Sequence, residues 1–517
     1  MNECWYIHCI LFLGMFYKKM KIMKMKNKKF IALFIIIGLL FSCSSDDEDF
    51  SEKTEIQENK LNPAPTQATS ELDVENFFYR GMNDVYLYKK DVAVLADDYF
   101  ESDSDKTRYL KNFSSPEALF KKLVASQDRF SELIKDYREL NRMSEGTENM
   151  HGMSYGLVGY CNTCEEVLGY VRFVYPNTSA AENGVERGMI FNRVDGQQLT
   201  KSNLNNLLGA SSFTIGLAKI ENNTVSNLDE TISISERESA KNPVIVSKVL
   251  NIDGIKIAYL NYDSFTAGYD EELNAEFTDF KSKGVKELVL DLRYNGGGSV
   301  RTATDLASMI TGQFPDEVFM KEEWNEKYQT YYEQNDPQSL LNPFNTNLRT
   351  GTPISSLNLN RVFVLTTSSS ASASELIING LQPYIDVIQI GDVTTGKFQA
   401  SVAIYDSPDF NKNNGSLNTS HTYALQPLVL KSLNANNVSD YVNGLNPDIE
   451  YVEDITNLGV LGDTSEPLLK IALDAILGNR ISVPESKEIF KPVGEIGMDQ
   501  LDYQKMHIDK IPDLIKE

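Results

Sequence analysis

From Phe77 the apolar residues fall three and four apart. Phe77, Phe78 and Tyr79 lead into Met82, Val85, Tyr86 and Tyr88, a spacing that predicts a helix. A second helix is predicted from Ser114-Ser115-Pro116-Glu117, a cap-like start with Pro in the first turn, carrying Leu119, Phe120, Leu123 and Val124. With Leu133, Ile134 and Tyr137 continuing the pattern, residues 71–146 are expected to form a helical N-terminal domain. From Met153 the chain breaks into short apolar stretches and turns, among them Tyr155 to Val158, Val171 to Pro176 and Gly188 to Phe191, and residues 147–240 read as a β domain. From about Asn242, buried-type strands alternate with helices. Strands are predicted at Lys256–Leu260, Glu287–Leu292, Val362–Leu365 and Val387–Ile390, and helices at Glu272–Lys283, Ala303–Ile310 and Glu375–Leu381. That alternation predicts an α/β core over 241–480, so the whole is a multidomain α/β chain, with 481–517 a C-terminal extension.

The front of the chain reads as an address. Lys26, Lys28 and Lys29 precede 12 apolar or Gly residues, Phe30 to Phe41. That run falls short of the roughly 20 residues a membrane span needs, but suits a signal-peptide core. Leu40-Phe41-Ser42-Cys43 resembles the lipobox of bacterial lipoproteins, which implies cleavage before Cys43 and acylation of its thiol. Met25 reads as the natural start, and residues 1–42 as the signal region. The acidic run Asp46 to Asp49 and the polar, Pro-containing stretch to residue 70 read as a flexible tether, 43–70. The expected location is the cell envelope: the outer membrane, at its periplasmic face or at the cell surface.

Formal net charge is -24, and the Lys-rich front leaves the body more acidic still. Such a body repels phosphate backbones, so no nucleic-acid partner is expected. Of five Cys, only Cys161 and Cys164 remain as free thiols after Cys43. A lone CxxC lacks the second pair that zinc would need, and a local disulfide in an oxidising compartment is expected, with no metal site.

Three stretches carry chemistry. Asp291-Leu292-Arg293-Tyr294-Asn295-Gly296-Gly297-Gly298 runs from a strand into glycines that let the backbone approach a ligand closely. No Gly-Lys-Ser/Thr follows, so it is not a phosphate loop. Ser372 and Glu375 form a capping-box pattern at a helix start, by itself a structural feature. Lys397 follows 25 residues after Ser372, beyond one helix–strand unit. A Lys in a dry site loses several pKa units, ~3–5 at most, and can then take the proton of a Ser. The free N–H of Ala373 at the helix start can face a developing oxyanion, with the Gly-rich loop supplying a second donor.

Together these motifs resemble the C-terminal processing, or tail-specific, serine peptidases. The resemblance spans roughly residues 75–478, including the later Gly444-Leu445-Asn446-Pro447-Asp448. It implies a crotonase-like α/β core, Ser372 as nucleophile, Lys397 as base, and Gly297 and Ala373 as the oxyanion amides. Many members carry a Gln four residues after the Lys to orient it. Here Ser401 stands there and Gln399 two after, so either is a candidate for the third catalytic position. Residues 147–240 resemble a PDZ domain, which implies a peptide-binding carboxylate loop near Tyr155, Gly156 and Leu157. Expected partners are peptides or unfolded proteins, engaged by their C-termini, and a membrane reached through the lipid anchor. No metal or organic cofactor is implied. The competing reading is a non-catalytic surface lipoprotein that binds peptides.

Overall fold

The computed structural model describes residues 72–138, 140, 147–161, 163–484, 490–495 and 503–509. The signal region, Cys43 and the tether lie outside the described residues. Helix α1 (Asp73–Val85) turns Phe77, Phe78, Met82 and Val85 inward. Helix α2 (Asp103–Leu110) follows. Helix α3 (Pro116–Leu123) starts where Ser115 Oγ accepts the Ala118 N–H at 3.3 Å, with Pro116 pre-set for the first turn. The helical reading of this stretch fails after that point. Glu132–Ile134 form strand β1, which pairs antiparallel with residues 424–426, and this tertiary pairing overrides the local spacing. Phe77, Phe78, Leu119 and Leu123 share one apolar cluster with Leu288, Leu306 and Leu376 of the core. Each such buried side chain contributes roughly 1.5–3 kcal/mol.

The β domain is antiparallel: β2 (Met153–Gly159), β3 (Val167–Val174), β4 (Ile190–Val194), β5 (Ser212–Glu221) and β6 (Thr224–Ser235) lie side by side in that order. Short helices span Ser179–Glu182 and Leu204–Leu208. Tyr155, Leu157, Phe191 and Ile215 form its own core. Cys161 and Cys164 are joined by a disulfide.

The α/β core comprises β7 (Val244–Ile252), β8 (Ile255–Tyr262), α4 (Asp270–Lys283), β9 (Glu287–Asp291), β10 (Gly298–Ser299), α5 (Val300–Thr311), β11 (Val318–Trp324), β12 (Arg361–Thr366), α6 (Ala373–Leu381), β13 (Asp386–Gly391), β14 (Gln399–Ser401), β15 (Ala424–Gln426), β16 (Leu428–Leu433), β17 (Ile449–Glu450) and α7 (Pro467–Leu477). One sheet runs β7-β8-β9-β12-β13-β17, parallel except at β7–β8. Alternation along its strands sorts the two faces. Leu288 and Leu290 pack with α4, α5 and α6, whereas Ile257, Tyr259 and Val289 pack with α7. Burial on both faces explains why these strands read as continuous apolar runs.

The C-terminal extension adds a strand to each of two sheets. Strand β18 (Lys491–Glu495) pairs antiparallel with β2 at the edge of the β domain. Strand β19 (Met506–His507) lies between β10 and β14 in a second sheet, which continues through β16 and β11.

Candidate active site

Strands β9 and β12 are parallel neighbours, and both end in turns on the same side of the sheet. After β9, Arg293 is fully buried. Its Nε donates to both Asp291 oxygens at 2.9 Å, Nη1 to Glu466 at 2.7 Å and to Glu453 at 2.8 Å, and Nη2 to Glu466 at 3.0 Å. Arg187 of the β domain donates to Glu453 at 3.0 Å and to the Tyr294 hydroxyl at 3.1 Å. This network fixes the start of the glycine turn.

Gly297 has φ 111°, and a Cβ there would lie 2.7 Å from Ser372 Cβ and 3.0 Å from Ala373 N. No side chain fits, so glycine is required at this close approach. The expectation that Gly297 offers its amide to an oxyanion is not met. Its N–H donates to Asn295 Oδ1 at 2.8 Å, held there because Asn295 Nδ2 is itself anchored on the Tyr262 carbonyl. Ala373 is the first residue of α6, where an N–H has no acceptor within its own helix.

The turn after β12 is tied to the glycine turn. Ser370 Oγ donates to the Leu292 carbonyl, and both Ala371 N–H and Ser374 Oγ donate to the Asn295 carbonyl. Ser372 sits at φ 67°, ψ -112°, a region that costs a non-glycine residue energy. It is fully buried, and its Oγ has no hydrogen-bond partner. The sequence predicts a Ser372–Glu375 capping box at the start of α6, and the structure has its carboxylate half: Glu375 Oε2 accepts the Ser372 N–H at 2.7 Å.

Glu375 has a role that the sequence reading missed. The same Oε2 accepts the Lys397 N–H at 2.8 Å, while Oε1 accepts the Gly396 N–H at 2.7 Å and the Thr394 hydroxyl at 2.5 Å. One carboxylate thus holds the turn carrying Ser372 against the turn carrying Lys397. The signal for this was a lone acid in a helix whose other residues are apolar, small or amide.

Lys397 is fully buried, with Nζ 5.0 Å from the centre of the Phe130 ring. Loss of solvation, helped by the nearby charge of Lys505, pushes its pKa down from 10.5 to about 7. Its Nζ donates to the Gln504 carbonyl at 2.8 Å. Neither candidate for the third position hydrogen-bonds it. Gln399 Nε2 donates to the Tyr88 hydroxyl at 2.7 Å and its Oε1 has no partner, while Ser401 Oγ donates to the Met506 carbonyl at 3.2 Å.

Tyr155, Gly156 and Leu157 do not form a carboxylate loop. They lie in the middle of β2, with Tyr155 and Leu157 packed into the β-domain core and Gly156 opposite Tyr170 on one side and Glu495 on the other. The alternation of a paired strand places them there.

The profile of Peptidase family S41 matches residues 256–450, and that of the Peptidase S41 N-terminal domain matches residues 73–132. The crystal structure of a putative S41 protease from Bacteroides fragilis is similar with a TM-score of 0.61 and 27% identity, over 78% of this chain and 97% of that one. The photosystem II D1 C-terminal processing protease is similar over 78% of this chain and 100% of that one, at 18% identity and a TM-score of 0.47. A carboxyl-terminal-processing protease of Picosynechococcus sp. is 22% identical over 299 residues, 57% of this chain. The match spans 65% of that relative's length, just under two thirds.

Proposed function

The chain belongs to Peptidase family S41, the C-terminal processing serine peptidases, and from that premise we propose that it hydrolyses peptide bonds through Ser372 and Lys397. Neutral Lys397 Nζ takes the proton of Ser372 Oγ as that oxygen attacks the substrate carbonyl. The carbonyl oxygen becomes an oxyanion facing the Ala373 N–H. Collapse breaks the C–N bond, and the leaving amine takes the proton from Lys397. Water then cleaves the acyl-serine with Lys397 again accepting the proton. Glu375 positions both partners without touching the reacting atoms.

One observation carries this reading. A single carboxylate oxygen binds the amides of Ser372 and Lys397, which supports a shared role for the unpartnered serine hydroxyl and the dry amine that these two backbones carry. The competing reading, a peptide-binding protein without catalysis, would be favoured by an exposed Lys397, and Lys397 is buried.

The pH dependence tests the role of the base. The amine must be neutral, so kcat/KM on a peptide is expected to rise close to tenfold per pH unit below about 7 and to level off above it. A profile flat from about pH 5 to pH 9 would exclude Lys397 as the base.

The proposal extends to export. Cys43 is taken as the lipid-bearing residue at the end of the signal region, and residues 43–70 as the tether to the envelope. The Cys43→Ser protein is expected to leave the membrane fraction in which the wild type sediments. Unchanged sedimentation would count against lipidation.

A further inference from the structure

Residues 503–509 run through the middle of the site. Strand β19 is parallel to β10 on one side, with Met506 opposite Gly298 and His507 opposite Ser299, and parallel to β14 on the other, with His507 opposite Ser401. The Ile508 N–H donates to the Ser401 carbonyl at 3.0 Å. Without this strand, β10 and β14 would face each other across a slot one strand wide, with hydrogen-bonding edges on both walls. Such a slot receives an extended peptide by strand addition. The Gln504 carbonyl takes the Lys397 amine at 2.8 Å. The Lys505 carbonyl lies against Gly297, 2.6 Å from where a Cβ of that glycine would be, and Ser372 Cβ is 2.7 Å from the same point.

The side chain of Lys505 is the informative one. It is 3% exposed, and its ammonium donates to Glu132 Oε2 and, at 3.0 Å, to Gln426 Oε1. A segment that served only to fill space would bury apolar groups. This one buries Met506 and, next to it in sequence, an ammonium held by Glu132 and Gln426. Farther back, β18 covers the free edge of β2. Its Glu495 pairs with the buried Arg172, accepts from Ser369 Oγ at 2.5 Å, and accepts from the Tyr503 hydroxyl at 2.6 Å. The chain's own C-terminal region therefore pairs with strand edges in two sheets at once.

We propose that residues 490–495 and 503–509 fill the substrate cleft in cis as a built-in substrate mimic, and that Glu132 and Gln426 form the pocket in which a basic side chain of an outside peptide is held, at the residue whose carbonyl lies beside Ser372. An outside peptide enters only when this segment leaves. The inference rests on the peptidase reading for its biological sense, but its test does not depend on catalysis.

The test measures binding in full-length protein carrying Ser372→Ala, so that nothing is cut. The probe is a fluorescent synthetic peptide with the sequence of residues 490–509, read by anisotropy, with circular dichroism as the check on folding. A second Lys505→Glu substitution in the protein weakens its own tail, and the probe is expected to bind at least about tenfold more tightly than to Ser372→Ala alone. A probe carrying Lys505→Glu is expected to lose that affinity, and to regain it on Ser372→Ala protein carrying Glu132→Lys in place of Lys505→Glu, where the tail's own Lys505 is repelled from the pocket. Equal binding of the probe to proteins with and without Lys505→Glu would overturn occupation in cis. Equal binding of the two probes would overturn the basic-side-chain pocket. Both readings stand even if no peptidase activity is ever found, so failure here is distinct from failure of the proposed chemistry.

Discussion

Lys397→Ala is expected to lower kcat/KM by about a thousandfold, within the usual range for loss of a general base, while leaving the far-ultraviolet spectrum intact. The side chain lies in a dry site and donates to the tail carbonyl of Gln504, so its removal leaves the clamp of Glu375 on the two turns in place. Lys397→Arg separates a base from a mere cation. A guanidinium stays protonated at any working pH, so the arginine protein is expected to be as inactive as the alanine one. If arginine restored activity, the residue would be acting through its charge, and the proton would have to go elsewhere. Ser372→Ala removes the nucleophile and is expected to cost at least as much.

Arg293→Ala is expected to destabilise the fold by roughly 3–5 kcal/mol, the usual cost of removing one partner from a buried ionic cluster. The reason is the imbalance it leaves. Asp291 and Glu466 are buried and hydrogen-bonded to Arg293, and Glu453 is left with Arg187 and the Tyr294 hydroxyl. Arg293→Lys is expected to recover little, because one ammonium cannot span three carboxylates. Burial by itself would raise the pKa of Glu453, but the charges of Arg293 and Arg187 override it and hold the group at about 2, below its ordinary 4.5. A lowered folded-state value means stabilisation that is complete above about pH 4.5 and is lost as pH falls toward 2. In Arg293→Ala the folded-state value of Glu453 rises, so the stability lost on acidification through this group is expected to be smaller. Denaturant midpoints across this range give both results, and an unchanged midpoint at neutral pH would contradict the structural role given to the cluster.

The core was legible because its strands are buried on both faces and its helices have a clear apolar stripe. Lys256–Leu260 and Val362–Leu365 were read within two residues of the observed ends. The positions of Ser372, Ala373, Lys397 and the glycine turn were equally legible, as motif residues at element ends. Three things were not. Strand β1 has its partner in residues 424–426, and no local spacing reports a pairing across so much chain. The Ser372–Glu375 pattern looks the same whether the serine hydroxyl caps the helix or only its amide is held. Here Thr394, Gly396 and Lys397 share the carboxylate, and they are distant in sequence. The same limit hid the C-terminal strands, whose short and mostly polar sequence becomes structure only against β2, β10 and β14.

The most direct measurement is casein cleavage by full-length wild type, Ser372→Ala and Lys397→Ala side by side, each shown to be folded. Fragments are expected from the wild type and none from either variant. A Ser372→Ala protein that cuts as fast as the wild type would contradict the role of Ser372 as nucleophile.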